Sequence, residues 1–214
     1  IYVPVTKQFA LGGNGSAYGS VTSPGLGAAW TQSVDDPSEA RFAVSANWTS
    51  RQGDQAATGR GLDGDDADQY LLSKFEYGSP TWQLSGAIAK KTSNSTTTHG
   101  FNGLFHSAAA SATEGNETAY ALRGYWKPDE TGAVPEVQLG YDFSKLDEAD
   151  ANEAEDTKGW MIGLGWPDLF MDGNRAGLAY GSRQAATGYK DNTTTVDPAE
   201  DNRVWEAYYT FQVN

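Results

Sequence analysis

The sequence of 214 residues has no cysteine and only two histidines. The missing thiols exclude a disulfide framework, a thiolate zinc site and a cysteine nucleophile. His99 and His106 are too isolated to form a metal site. The sequence also lacks a nucleophile elbow, a phosphate-binding loop, a dinucleotide motif and an H-E-x-x-H pair. We therefore expect no enzyme activity, no cofactor and no metal centre.

Long apolar runs and positive charge are also scarce. Hydrophobic residues make up 38% of the chain, and no stretch approaches the roughly 20 apolar residues of a membrane-spanning helix. A helical membrane protein is therefore excluded. The 15 Lys and Arg residues are outnumbered by 28 Asp and Glu residues, which gives a net charge of −13. Because the phosphate backbone is bound by positive charge, this balance argues against nucleic acid as a partner.

What the sequence does contain is strict alternation of apolar and polar residues, the period of a strand with two different faces. No segment shows a helical period. The alternation predicts nine strands, at Gly25–Thr31, Arg41–Thr49, Gln69–Tyr77, Thr81–Lys90, Thr118–Lys127, Glu136–Lys145, Lys158–Trp166, Arg175–Ser182 and Arg203–Val213.

The predicted connections alternate between short and long. The short ones are Gln32–Ser38, Gly78–Pro80, Pro128–Pro135 and Pro167–Asn174. The long ones are Ser50–Asp68, Lys91–Glu117, Leu146–Thr157 and Arg183–Asn202. Short turns at one end and long loops at the other are typical of an outer-membrane β-barrel. We refer to the short-turn end as the bottom and to the long-loop end as the top.

The aromatic residues of the apolar positions gather at the two strand ends. Those at the bottom are Trp30, Tyr77, Trp82, Trp126, Trp166 and Phe211. Those at the top are Trp48, Tyr120, Tyr141, Phe143, Trp160, Tyr180 and Trp205. Amphipathic rings prefer the headgroup depth of a bilayer, so these side chains are predicted to lie at the membrane interfaces. The fold class predicted is all-β, as a transmembrane antiparallel β-barrel.

The alternative is a secreted β-sandwich that binds or cleaves polysaccharide. The strand carboxylates Glu76, Glu136, Asp142 and Glu206 could then include a glycosidase pair, which needs two carboxyl groups at a defined separation. A sandwich core would concentrate large rings in the middle of the strands. Here they concentrate at the ends, which favours the barrel.

The polar positions of the strands supply candidates for lining a pore. They are Arg41, Lys74, Glu76, Gln83, Arg123, Tyr125, Gln138, Asp142, Glu206, Tyr208 and Gln212. Such a mixture is typical of a diffusion channel with weak selectivity. Small residues between them, at Gly140, Gly163, Gly165, Gly177 and Gly181, are expected to leave space in the lumen.

Acidic residues concentrate in the long connections. Three of them hold 15 of the 28 acids, which indicates either a negative mouth that favours cations or simply soluble, exposed loops. The segment Asp63–Asp68 is similar to a calcium loop. It lacks the glycine and the distal glutamate of an EF-hand, so a solvated acidic loop is the simpler interpretation.

Three segments resemble cyanobacterial outer-membrane porins, the iron-uptake porins related to the carbohydrate-selective porin family. They are YALRGYWKPDETGAVPEVQLG at Tyr120–Gly140, KGWMIGLGWPDLFMDGNRAGLAY at Lys158–Tyr180 and WEAYYTFQV at Trp205–Val213. Gly25–Trp30 and Ala43–Trp48 fit the same pattern more loosely. The resemblance covers about two-thirds of the chain and leaves out the loops.

The resemblance implies a barrel of about sixteen strands in the full protein, of which about nine lie in this chain. Residues 1–214 would then be one partial barrel domain. The family's signal peptide, its coiled coil, its wall-binding module for peptidoglycan and the last strands would then lie outside these residues. It also implies a homotrimer in the lipid of the cyanobacterial outer membrane. The expected function is passive diffusion of small hydrophilic solutes and inorganic ions.

Overall fold

The computed structural model describes residues 25–51, 68–93, 99–102, 107–112, 115–130, 132–147, 151–191 and 203–211. These ranges are rich in β-strands, and within them no helix could cross a membrane. The strands are β1 (Gly25–Thr31), β2 (Arg41–Arg51), β3 (Asp68–Ser79), β4 (Trp82–Ser93), β5 (His99–Asn102), β6 (Ser107–Ala112), β7 (Gly115–Trp126), β8 (Glu136–Asp147), β9 (Ala154–Pro167), β10 (Arg175–Tyr189) and β11 (Arg203–Thr210).

Nine of the strands form one antiparallel meander. Their order in the sheet is β1-β2-β3-β4-β7-β8-β9-β10-β11, so neighbours in the chain are neighbours in the sheet except where β5 and β6 form a separate hairpin. All nine predicted strands are confirmed as members of this sheet. β1 and β11 are its edges, and in the part of the chain that the structure describes no pairing joins them.

The register places the two faces as the alternation predicts. Directly opposite residues of antiparallel strands point to the same side of a sheet. Leu84 is opposite both Tyr77 and Gly124, and Trp82 is opposite Trp126. The apolar face is made by every second residue of Leu26–Trp30, Phe42–Trp48, Leu71–Tyr77, Trp82–Ile88, Tyr120–Trp126, Val137–Phe143, Trp160–Trp166, Ala176–Tyr180 and Trp205–Tyr209. The residues between them make the polar face.

The long connection predicted at Lys91–Glu117 contains a hairpin that the sequence does not predict. β4 continues to Ser93, β7 begins at Gly115, and the β5–β6 hairpin lies between them. β6 has the sequence SAAASA, in which all side chains are small. Without large apolar residues at alternate positions, the strand has no periodic signal to detect.

The connections Leu146–Thr157 and Arg183–Asn202 are also shorter than predicted. β9 begins at Ala154, and β10 runs on to Tyr189. The pairing of these two extensions contains register shifts after Ser182. Each shift breaks the alternation, because a bulge moves the following side chains to the other face. Residues 52–67 and 192–202, which hold most of the other predicted loops, lie outside the described residues.

Two of the short turns are closed by aspartate side chains. Asp36 accepts hydrogen bonds from the backbone N–H and the hydroxyl of Ser38, both at 2.8 Å, and these bonds lower the pKa of its carboxyl group. In the β9–β10 turn, Asp168 accepts a bond from the N–H of Gly173 at 2.8 Å. Gly173 has φ +83°, a conformation that glycine adopts without strain. The turns therefore follow from local sequence.

Burial concentrates on the polar face. Ala87, Ala89, Ala119 and Ala121 form a cluster that is 2–6% exposed, whereas Leu122 on the apolar face is 55% exposed. β5 lies near β7, and β6 lies near β9 and β10. Because the buried residues of these strands belong to the polar face, we infer that the hairpin covers that face.

Candidate functional site: the polar face

Ten of the eleven predicted pore-lining residues lie on the polar face, and Gln212 lies outside the described residues. Five of the ten lie in a single cross-strand row, that is, a line of directly opposite residues that runs from strand to strand across the sheet. The row contains Arg41, Gln83, Tyr125, Gln138 and Glu206, with Gly78, Gly163 and Ala179 between them. Together, the ten residues come from six strands, β2, β3, β4, β7, β8 and β11, and the sheet brings them onto one surface.

A first polar cluster lies on β3 and β4. The ammonium group of Lys74 is 2.7 Å from Oε1 of Glu76, and the side-chain amide of Gln83 donates to the same oxygen at 2.9 Å. Arg41 and Tyr125 join Glu76 and Gln83 in lining an open cavity of about 410 Å³. The cluster offers hydrogen-bond donors and acceptors to a hydrated solute.

A second cluster joins β7 and β8. A guanidinium nitrogen of Arg123 lies 2.6 Å from Oδ1 of Asp142, whose side chain is fully buried. Arg123 also donates to the carbonyl oxygen of Tyr141 at 3.2 Å. Gly140 lies opposite Arg123, and a Cβ at Gly140 would be 3.1 Å from the guanidinium carbon. The glycine thus accommodates the arginine side chain.

A third cluster spans three strands. Arg175 of β10 donates to Oε2 of Glu136 of β8 at 2.7 Å. The strand between them contributes Gly165, which is opposite both Glu136 and Gly177. With no side chain in the way, the two charged groups meet across β9. Arg175 was not among the predicted pore-lining residues, and Glu136 was considered only as a glycosidase candidate.

The expectation that the glycines of this face leave empty space is wrong at two positions. Gly140 accommodates Arg123, as described above. A Cβ at Gly177 would lie 2.2 Å from Cε1 of Tyr208, so the tyrosine ring occupies that space. These glycines allow large polar side chains of neighbouring strands to lie flat on the sheet. Sequence patterns on a single strand carry no signal for this, because it depends on the neighbour.

Three of the four carboxylates considered for a glycosidase pair lie in separate ion pairs. Glu76, Glu136 and Asp142 each form an ion pair with a different base, on different strands. Within the described ranges, no group of three or more histidine or carboxylate side chains could hold a metal ion. Most of the Asp63–Asp68 segment, and His106, lie outside those ranges.

The aromatic rings of the apolar face contact one another within two separate groups. At the bottom, Phe42 stacks on Tyr77 at 4.2 Å between centroids, and Tyr77 contacts Trp82 at 5.4 Å. The contacts at the top are Tyr120–Phe143 at 4.7 Å, Tyr141–Phe143 at 5.8 Å, Trp160–Tyr180 at 5.5 Å and Tyr180–Trp205 at 4.3 Å. Among the described residues no ring contact joins a top aromatic to a bottom one.

Both aromatic groups cross the sheet at a slant. Trp30, a bottom residue of β1, shares one cross-strand row with Trp160, a top residue of β9. The bottom aromatic of β9, Trp166, lies six residues further along, and β9 is six strands from β1 in the sheet. With a rise of about 3.4 Å per residue and about 4.8 Å between strands, the bottom group slants by about 35°.

The top group slants in the same direction. Followed from partner to partner across the strands, Trp48 of β2 is level with Asp156 of β9. In the same way, Trp205 of β11 is level with Ile162 of β9. This is again six residues, now over seven strand steps, or about 31°. The two aromatic groups therefore form two nearly parallel belts. Between them, no described residue of the apolar face is charged.

Comparison of the chain with protein-family models, with curated proteins and with solved structures finds no match.

Proposed function

We propose that this chain forms part of the wall of an outer-membrane β-barrel porin, through which small hydrophilic solutes and inorganic ions diffuse passively. The observation that carries the proposal is the pair of parallel aromatic belts on an exposed apolar face, with no charged residue described between them. Rings prefer headgroup depth, and barrel strands tilt by about 35–45° from the barrel axis. In the proposal the apolar face contacts lipid and the polar face contacts water.

The height of the uncharged band fits a bilayer. In β9 the apolar face carries no charge between Lys158 and Asp168 of the following turn. The nine residue steps from Lys158 to Pro167, where β9 ends, span about 31 Å along the strand, and about 25 Å once the strand tilts by about 35°. The apolar band of a transmembrane barrel is about 25 Å tall. The spacing of Trp160 and Trp166 alone, about 20 Å along the strand, is shorter because the rings themselves reach into the headgroup layers.

The polar face supplies what a water-filled passage needs. Six of its charged residues form three pairs, Lys74–Glu76, Arg123–Asp142 and Arg175–Glu136, and these pairs add no net charge. Their remaining lone pairs and N–H groups can replace part of a solute's hydration shell. We propose weak selectivity inside the passage, with a cation preference that comes from the acidic loops at the top.

The edges of the sheet imply further pairing. In lipid, each unsatisfied backbone group costs several kcal/mol, so β1 and β11 both need partner strands. We propose that more strands of the same kind complete a closed barrel of about sixteen. The segments quoted above as porin-like support placing this barrel in the cyanobacterial iron-uptake porin family, in the outer membrane and as a trimer.

Within the described residues, no second sheet lies over the apolar face, as the β-sandwich alternative would require. A sandwich buries the apolar face of one sheet under a second sheet. In the described part of the chain, the only additional strands are β5 and β6, which lie near β7, β9 and β10 over the polar face. Leu26, Leu84 and Trp205 on the apolar face stay 61–74% exposed.

Conductance across a lipid bilayer tests the proposed porin function. The protein at its full natural length, reconstituted into planar lipid bilayers, is expected to give stepwise increases of conductance. A reversal potential measured in a salt gradient should show a modest preference for cations that decreases when salt screens the acidic loops. Bilayers that stay silent at every protein concentration, together with a monodisperse preparation without detergent, would overturn the porin in favour of the sandwich.

A further inference from the structure

The charged side chains of the apolar face gather at one end. The four cations there are Lys90, Lys145, Lys158 and Arg203. Each lies two residues beyond an apolar-face residue in the direction of the long loops; these residues are Ile88, Phe143, Trp160 and Trp205, respectively. The cations therefore follow the slant of the top aromatic belt, just outside it. No described residue of this face carries a positive charge at the bottom.

Two of these cations share a groove. Lys145 is opposite Asp156, and Lys158 is opposite Phe143, so the two lysines are diagonal neighbours on β8 and β9. With Tyr120, Tyr141 and Phe143 they line an open groove of about 630 Å³. Both lysines are exposed. The ion pairs formed among the described residues, Lys74–Glu76, Arg123–Asp142 and Arg175–Glu136, involve neither of them.

Carboxylates complete the outer rim of the groove. Asp147, at the end of β8, and Asp156 also line it. Lys158 is level with Phe143 and Lys145 is one side-chain position further out, whereas Asp147 lies beyond both. Moving from the middle of the sheet outward, a ligand would meet the rings first, with Lys158 level with Phe143, then Lys145 with Asp156 opposite it, and last Asp147.

This order suits one class of ligand. We propose that the groove binds the phosphate of an anionic lipid headgroup in the leaflet at the top, an inference that rests on the proposed function. Lys145 and Lys158 donate charge-assisted hydrogen bonds to the phosphate oxygens, while the Tyr120–Phe143 stack contacts the glycerol and the first acyl carbons. A free phosphate ion would leave the rings without a partner. The lysines also face away from the polar face, so a solute in the passage does not meet them.

Arg203, close to the groove, supports the assignment of a lipid-phosphate site. The guanidinium of Arg203 lies 5.1 Å from the ring centroid of Trp160, two residues from Lys158. A ring and a cation held together at the belt give a further position where a phosphate can be neutralised next to an apolar surface. Lys90 lies in the row of Lys145, with Thr118 between them. The basic surface thus extends along the belt across six of the nine strands, from β4 to β11.

The experiment uses the protein at its full natural length in lipid vesicles. Its tryptophan fluorescence is quenched with brominated phosphatidylglycerol or with brominated phosphatidylcholine, and the ratio of the two quenching constants gives the preference for the anionic headgroup. A basic residue near an anionic surface corresponds to about a fivefold change in binding. We expect an anionic preference of about this size, lost in the double variant Lys145→Gln/Lys158→Gln.

The matched control is Lys127→Gln/Lys190→Gln, which removes the same charge from exposed positions at a strand end and in a turn. It should keep the preference. Equal quenching by both lipids, or a preference that survives in Lys145→Gln/Lys158→Gln, would overturn the lipid site and leave the porin intact. Displacement by an excess of inorganic phosphate would reassign the groove to a free anion. If neither brominated lipid quenches, the proposed membrane location itself fails.

Discussion

The two faces of the sheet treat neighbouring residues in opposite ways. Asp142 is 1% exposed, and Phe143 beside it in β8 is 38% exposed. Ala179 is 6% exposed, and Leu178 beside it in β10 is 44% exposed. A water-soluble domain buries its leucines and exposes its carboxylates. The reversal is what the proposed barrel requires, because a side that contacts lipid and a side that contacts water need opposite residues.

The largest expected effect comes from placing a charge on the apolar face. Leu139 lies about midway between the two aromatic belts, and Gln138 beside it points to the polar face. We expect Leu139→Arg to lower the free energy of unfolding in lipid vesicles by about 2–4 kcal/mol, because the charge enters the middle of the bilayer. Gln138→Arg should cost about 0.5 kcal/mol or less. Urea titrations of both variants in vesicles measure this; equal losses would mean that both faces meet the same medium.

A smaller loss is expected when one buried charge of the polar face loses its partner. In Asp142→Asn, the guanidinium of Arg123 stays in a site where its side chain is only 19% exposed. Breaking a buried pair costs about 3–5 kcal/mol, and the partial exposure of Arg123 reduces our expectation to about 2–3 kcal/mol. Glu76→Gln, which breaks the more exposed pair with Lys74, should cost less than about 1 kcal/mol. If the double variant Arg123→Met/Asp142→Leu is no more stable than Asp142→Asn, the pair is not the cause of the loss.

The glycines of the polar face offer a contrast between two positions. Gly177→Ala places a Cβ 2.2 Å from the ring of Tyr208, so the ring must move, at a cost of about 1–2 kcal/mol. Gly163→Ala meets only ordinary contacts, at 3.4 Å and beyond, and should be neutral or stabilise by about 0.5 kcal/mol. Thermal unfolding of the two variants compares them. A neutral Gly177→Ala would show that Tyr208 does not need this space.

The smallest effect concerns the aromatic belt itself. Tyr120 and Phe143 stack with an interplanar angle of 14°. A double-mutant cycle with Tyr120→Leu and Phe143→Leu should give a coupling energy of about 1 kcal/mol, as stacked ring pairs do. The unfolding free energies of the four proteins give this value. A coupling near zero would mean that the two rings act independently, through their preference for the headgroup region alone.

The sequence predicts the sheet well for a physical reason. A strand with an apolar and a polar face must alternate, so Trp82, Leu84 and Ile88 identify both the strand and its apolar face. The β5–β6 hairpin escapes detection because alanine and serine provide no contrast between faces. The pairing of Arg175 with Glu136 escapes as well, because it depends on Gly165 in the strand between them, and no single strand contains that information.

The shear of the sheet has a consequence for anything that moves along the polar face. The residues of one cross-strand row lie at different distances from the two aromatic belts. From each strand to the next, the belts shift by about one residue relative to the row. Arg41 begins β2 at the bottom, whereas Glu206, in the same row, lies near the top of β11. Between them the row presents Gln83 and Gln138 at intermediate depths. If the sheet closes as proposed, the polar groups of this row follow a helical path along the passage, from one opening to the other. A solute that passes through then replaces its hydration water gradually, at several depths, and not at one narrow constriction.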